Sequence, residues 1–219
     1  MTEHFKYILM EFINFIFILI LVTLPILTVR YDVLTLHNNI PEQSLTEWSE
    51  EILLTITAGS FLFISFIDRK YHHGFILISA FFYCILIREL DSFFDNLVFH
   101  GFWIYPAIIT AITALYYSIQ KRKNTLNTLY LFVKNKNFPI LCIGLAIIFV
   151  FSRLFGMEVF WHQVMNSDFQ RIVKNIAEET TELLGYTIIT YAAVNYIFSF
   201  NNKKQINNLT LSSAINDYG

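Results

Sequence analysis

The sequence predicts an all-α integral membrane bundle of about six transmembrane helices, with the N- and C-termini cytoplasmic. Three observations carry this reading. Only 15% of the 219 residues are charged and 55% are hydrophobic, against ~25% charged in a typical soluble domain, and the mean hydropathy is +0.51. The apolar residues fall in unbroken runs that approach the ~20 residues a helix needs to cross the hydrocarbon. Gly (7) and Pro (4) are scarce while Phe (23) and Tyr (12) are abundant, a pattern of aromatic-anchored helices rather than of a barrel built on alternating residues.

In chain order, the first predicted helix covers residues 5–29, with Glu11 near its start and Pro25 near its end, where a span tolerates proline. It lacks a small-residue cleavage site and reads as a retained helix rather than a signal peptide. A polar link from Arg30 to Trp48 ends in Ser44-Leu45-Thr46-Glu47, the pattern of a helix N-cap with an acid three residues on. The second helix is placed at 48–67. Its uncharged run, Ile52 to Ile67, is short for a crossing, so it must recruit charged residues at one end.

The third helix, 72–91, follows a basic turn and has the same defect. Gly74 to Ile87 holds 14 uncharged residues, about 21 Å of helix at ~1.5 Å per residue, so Arg88 and Glu89 complete the span from inside the bilayer. An aromatic and acidic link from Ser92 to His100 leads to the fourth helix, 101–119, which carries no charge and opens on Trp103 and Tyr105. Gln120 to Asn137 reads as a basic loop, although Leu126, Leu129, Tyr130 and Val133 recur there at a spacing that would let a helix lie on an anionic leaflet. The fifth helix, 138–158, meets Arg153, and the sixth, 172–200, contains Glu178-Glu179-Thr180-Thr181-Glu182. Residues 1–200 thus form one transmembrane bundle, and 201–219 a polar cytoplasmic tail.

Lys and Arg accumulate on the cytoplasmic side of membrane proteins. Six spans place ten of the fifteen basic residues on the side of the termini, while the opposite side holds thirteen of the seventeen acids. The charge-shortened ends of helices two, three and five lie toward that acidic outer face, as do the glutamates of helix six. Helices one and four, long and nearly clean, are assigned to the lipid-facing periphery.

This places an ion, proton or substrate site among Glu51, Arg88, Glu89, Asp91, Arg153, Glu178, Glu179 and Glu182. Ionisable residues within spans usually face a bundle interior or a cavity. Helical spacing puts Glu178, Glu179 and Glu182 on a face shared with Asn175 and Tyr186. It also offers Arg88 to Asp91 within one helix and Arg153 to Glu89 between helices. Glu158 and His162, four residues apart, together with His100, are the candidate metal ligands. The sequence requires no cofactor, but its carboxylates admit a divalent metal.

The function this favours is a small transporter or proton/ion-coupled permease. The alternatives are a membrane-embedded, metal-dependent enzyme acting on a lipid or envelope substrate, and a structural or accessory membrane subunit. No nucleophile or complete ligand set assigns a reaction. A net charge of -2 leaves no electrostatic footprint for nucleic acid, so the partners expected are the lipid bilayer and, beyond it, a homo-oligomer or membrane complex. In a bacterium the plasma (inner) membrane is the expected location. Cys84 and Cys142 sit in apolar runs with no CxxC or Cys/His spacing, so neither a disulfide framework nor a structural zinc is expected.

Overall fold

A computed structural model describes residues 3–37 and 44–216, with side chains through residue 201. Every described element is helical: α1 (Glu3–Leu34), α2 (Leu45–Ile67), α3 (His72–Glu89), α4 (Asp91–Leu97), α5 (Ile104–Gln120), α6 (Arg122–Val133), α7 (Phe138–Ala146), a π turn (Ile147–Ser152), α8 (Arg153–Phe155), α9 (Glu158–Met165), a 3-10 turn (Asn166–Asp168) and α10 (Arg171–Asn216). The tail expected over 201–219 is helical backbone as far as Asn216, and residues 217–219 lie outside the described part.

Four helical stretches are long and apolar enough to cross a membrane: α1, α2, Phe138–Phe155 and Arg171–Asn201. A fifth arises if α3 and α4, bent by 58° where they meet, count as one span. The fourth helix expected from sequence is α5, an apolar helix of 17 residues, which falls short of a full crossing by itself. The expected basic loop is mostly helix α6, and α9 with a 3-10 turn fills the stretch between the expected fifth and sixth helices.

The chain packs as two compact units that share the long helices. The first comprises Met1–Leu53 and Cys142–Ile188. Here α1 is largely exposed, with only about a tenth of its apolar stretch buried. Pro25, Val29 and Asp32 are the exceptions. Asp32 is fully buried, and its carboxylate accepts from the Leu45 and Thr46 backbone N–H groups at 3.1 and 2.8 Å and from the Thr46 hydroxyl at 2.6 Å. A carboxylate is unfavourable near the C-terminus of its own helix, but at the N-terminus of α2 it meets unpaired donors and the positive end of the helix dipole. Ser44 Oγ accepts from Glu47 N–H at 3.2 Å, so the N-cap legible in the sequence forms. Deeper in this unit, α10 brings Gly185 against Ile148 and the Gly144 carbonyl.

The second unit comprises Leu54–Leu141 and Ile189–Gly219. An aromatic cluster forms its centre: Phe61 stacks on Phe82 at 5.6 Å and meets Phe132 edge-on at 5.5 Å, and Tyr196 lies 5.7 Å from Phe61. Such pairs add about 0.5–1.5 kcal/mol each beyond their buried area. Hydroxyls join the helices where backbones come close: Ser79 donates to the Ala58 carbonyl at 2.8 Å, Ser118 to the His73 carbonyl at 3.1 Å, and Thr57 and Thr190 share a hydrogen bond of 3.0 Å. On the outside of this unit α5 exposes Ile108, Ile109, Ile112 and Leu115.

Candidate functional site: a buried carboxylate cluster

The first unit contains the chemically distinctive group. Glu50 from the second turn of α2 and Glu179 and Glu182 from α10 each offer a carboxylate oxygen, and these oxygens lie within 4.8 Å of one another. Glu50 is 1% exposed and Glu182 4% exposed, while Glu179 is half-buried.

Two cationic side chains and a hydroxyl hold the α10 end of the cluster. Arg153 reaches Glu182 at 2.9 Å through Nη2 and Glu178 at 3.3 Å through Nη1. Spaced one helical turn apart, the two acids present a single face to the guanidinium fork. Ser152 donates to the same Glu182 oxygen at 2.6 Å. Lys174, one turn earlier on α10, pairs with Glu178. The Glu178 carboxyl lies close over Gly156: a Cβ there would stand 2.6 Å from Glu178 Cδ, so a larger residue would displace it.

Glu50, Glu178, Glu179 and Glu182 thus bring four carboxyl groups to the neighbourhood of the Arg153 guanidinium and the Lys174 ammonium. Two full charges at 4.8 Å repel by about 3.5 kcal/mol at an effective dielectric of ~20. Oxygen ligands so grouped are the natural set for a hard divalent cation.

Other sequence candidates make different contacts. Glu51 is half-buried beside Glu50. In the second unit Arg88 pairs with its neighbour Glu89, and Asp91 is exposed at the start of α4. The pairing expected from spacing therefore changes: Arg88 takes Glu89, and Arg153 takes Glu178 and Glu182. Glu158 and His162 form a solvent-facing pair at 3.4 Å, with the His162 ring stacked on Phe169. His100, also exposed, meets Asp95 at 2.5 Å, and Asp95 in turn accepts from Gly101 N–H at 2.7 Å.

No protein family, curated protein or solved structure matches this chain. Glu50, Asp32 and Ser152 are the residues that sequence reasoning passed over. For Glu50 a signal exists: Leu54, Thr57, Phe61 and Ile64 are buried at alternating spacings of three and four along α2, and stepping back four residues from Leu54 gives Glu50 rather than Glu51.

Proposed function

We propose that the protein is a small ion-coupled membrane transporter whose proton or cation site is Glu50, Glu179 and Glu182. The observation that carries this reading is the convergence of three carboxylates, two of them nearly inaccessible, on helices apolar enough to cross a membrane. Carboxylates grouped in this way can take up protons or a cation, and uptake and release of such charges are what a coupled carrier performs. In this reading Arg153 and Ser152 fix Glu182 in place, and Glu50 arrives from the other helix as the partner that closes over the ion. The chain crosses the membrane six times, with α5 and the bent α3–α4 pair completing the count. Both termini are cytoplasmic, the site opens outward, and the membrane is the plasma membrane of a bacterium.

A metal-dependent membrane enzyme is the second reading, favoured by the all-oxygen donor set. The test is reconstitution into liposomes, with Mn²⁺ as the added cation, an entrapped metal-quenched dye and an entrapped pH dye. The transporter reading expects Mn²⁺ or proton flux above protein-free liposomes, lost in Glu50→Gln and Glu182→Gln variants that elute as the wild type in detergent. Stoichiometric Mn²⁺ binding without flux overturns transport and supports the enzyme. Neither flux nor binding by folded wild-type protein overturns both.

A further inference from the structure

We infer that α6 is a surface-lying helix that binds the headgroups of anionic phospholipids. This stands apart from the ion-coupling reading and rests on the second unit alone.

The inner side of α6 is fixed. Thr125 donates to the Ser118 carbonyl at 2.8 Å, Thr128 donates to the Asn124 carbonyl at 2.8 Å and approaches the Tyr71 carbonyl at 3.4 Å, and Phe132 is buried edge-on to Phe61 and Phe138. These three residues are spaced three and four apart and form one buried stripe. The helix is therefore a rigid bracket with a defined outward side.

That outward side is apolar along its middle and cationic along its margins. Leu126, Tyr130 and Val133 are more than half exposed. At ~100° per residue they occupy an arc of only about 60°. Arg122 lies about 20° beyond Val133, and Lys123 and Lys134 lie about 20° and 40° beyond Tyr130 on the opposite margin. Lys121 and Lys136, both exposed, bracket the helix at its ends, and no acid occurs between Asp95 and Glu158.

A soluble surface leaves no reason for a leucine, a tyrosine and a valine to line up in water. A neutral hydrocarbon surface leaves none for flanking cations. An anionic headgroup layer satisfies both: the apolar strip enters the boundary region, the lysines and arginine reach the phosphates, and Tyr130 takes the amphipathic position favoured by interfacial aromatics. A second copy of the chain would bring the same cations against themselves, so charge complementarity selects the lipid.

The experiment uses the full-length protein with Cys84 and Cys142 replaced by Ser and a polarity-sensitive fluorophore on Leu126→Cys, with Asn124→Cys on the polar side as control. Both are reconstituted into vesicles of phosphatidylcholine with or without phosphatidylglycerol, carrying a shallow nitroxide lipid as quencher. The expected result is blue-shifted emission and at least about twofold stronger quenching at residue 126 with phosphatidylglycerol, reversed by molar salt and by Lys121, Arg122 and Lys123→Glu, and little change at residue 124. Equal quenching with and without phosphatidylglycerol overturns the headgroup assignment. Water-like emission at residue 126 in both vesicles overturns the membrane contact. Shielding that appears already in detergent and grows with protein concentration assigns the face to a second copy.

Discussion

Replacing Asp32 tests whether one buried side chain joins α1 to α2. In the folded chain this carboxylate meets the Leu45 N–H, the Thr46 N–H and the Thr46 hydroxyl, with no solvent to replace it. In Asp32→Ala all three donors lose their acceptor. Hydrogen bonds to a charged group contribute about 1.5–3 kcal/mol, and a buried donor left without a partner costs about 1–3 kcal/mol. Because these contributions overlap, a loss of about 3–5 kcal/mol is expected. In Asp32→Asn the amide oxygen can keep both Thr46 donors while its NH₂ faces the Leu45 N–H, so one donor is lost and the cost falls to about 1–3 kcal/mol. At ~2–4 °C per kcal/mol for a chain of this size, Asp32→Ala should melt about 10 °C below the wild type and Asp32→Asn about half as far. Thermal unfolding in detergent, followed by tryptophan emission, reads this directly, since Trp48 stands in the first turn of α2. A loss below about 1 kcal/mol for Asp32→Ala, or an Asn variant as unstable as the Ala variant, refutes the cap.

Two further substitutions follow from the packing. Gly185→Ala would place a Cβ 2.5 Å from Ile148 Cγ1 and 3.2 Å from the Gly144 carbonyl oxygen, and since Ile148 is fully buried the overlap should cost about 1–3 kcal/mol. Pairing it with Ile148→Ala should recover part of that loss, and simple additivity in detergent melts would refute the contact. Ser44→Ala removes the hydroxyl that caps Glu47 and should cost about 1 kcal/mol. The same melts should rank it well below Asp32→Ala, and an equal cost would mean that the hydroxyl, not the carboxylate, organises the start of α2.

Much of the fold is legible in the sequence because apolar runs longer than a turn or two have few alternatives to helix when they must leave water. The positions of α1, α2, α3 and α10 follow from those runs, and the cap at Ser44 from its hydroxyl and the acid three residues later. What composition does not reveal is how a charged residue is used. The sequence reading selects Glu51, whereas the buried stripe of α2 turns Glu50 inward and leaves Glu51 half-buried. Spacing alone offers Arg153 to Glu89, but its packing against α10 commits it to Glu178 and Glu182. Helix α6 is masked by the basic residues in and around it, Lys121, Arg122, Lys123, Lys134 and Lys136, which read as loop when counted and as a helix margin when placed on a wheel.

The π turn at Ile147–Ser152 has a consequence for the phase of its helix. Gly144, Ile148 and Ser152 all meet α10, the first two at Gly185 and the third at Glu182. In a regular α-helix each four-residue step overshoots a full turn by about 40°, so three such positions would drift off a common line. The wider π turn spends more residues per revolution and removes that drift over the second step. It thereby works as a vernier between an apolar contact and a polar one. Returning the segment to ordinary helix at the same length would rotate Ser152 and Arg153 away from the carboxylates they hold.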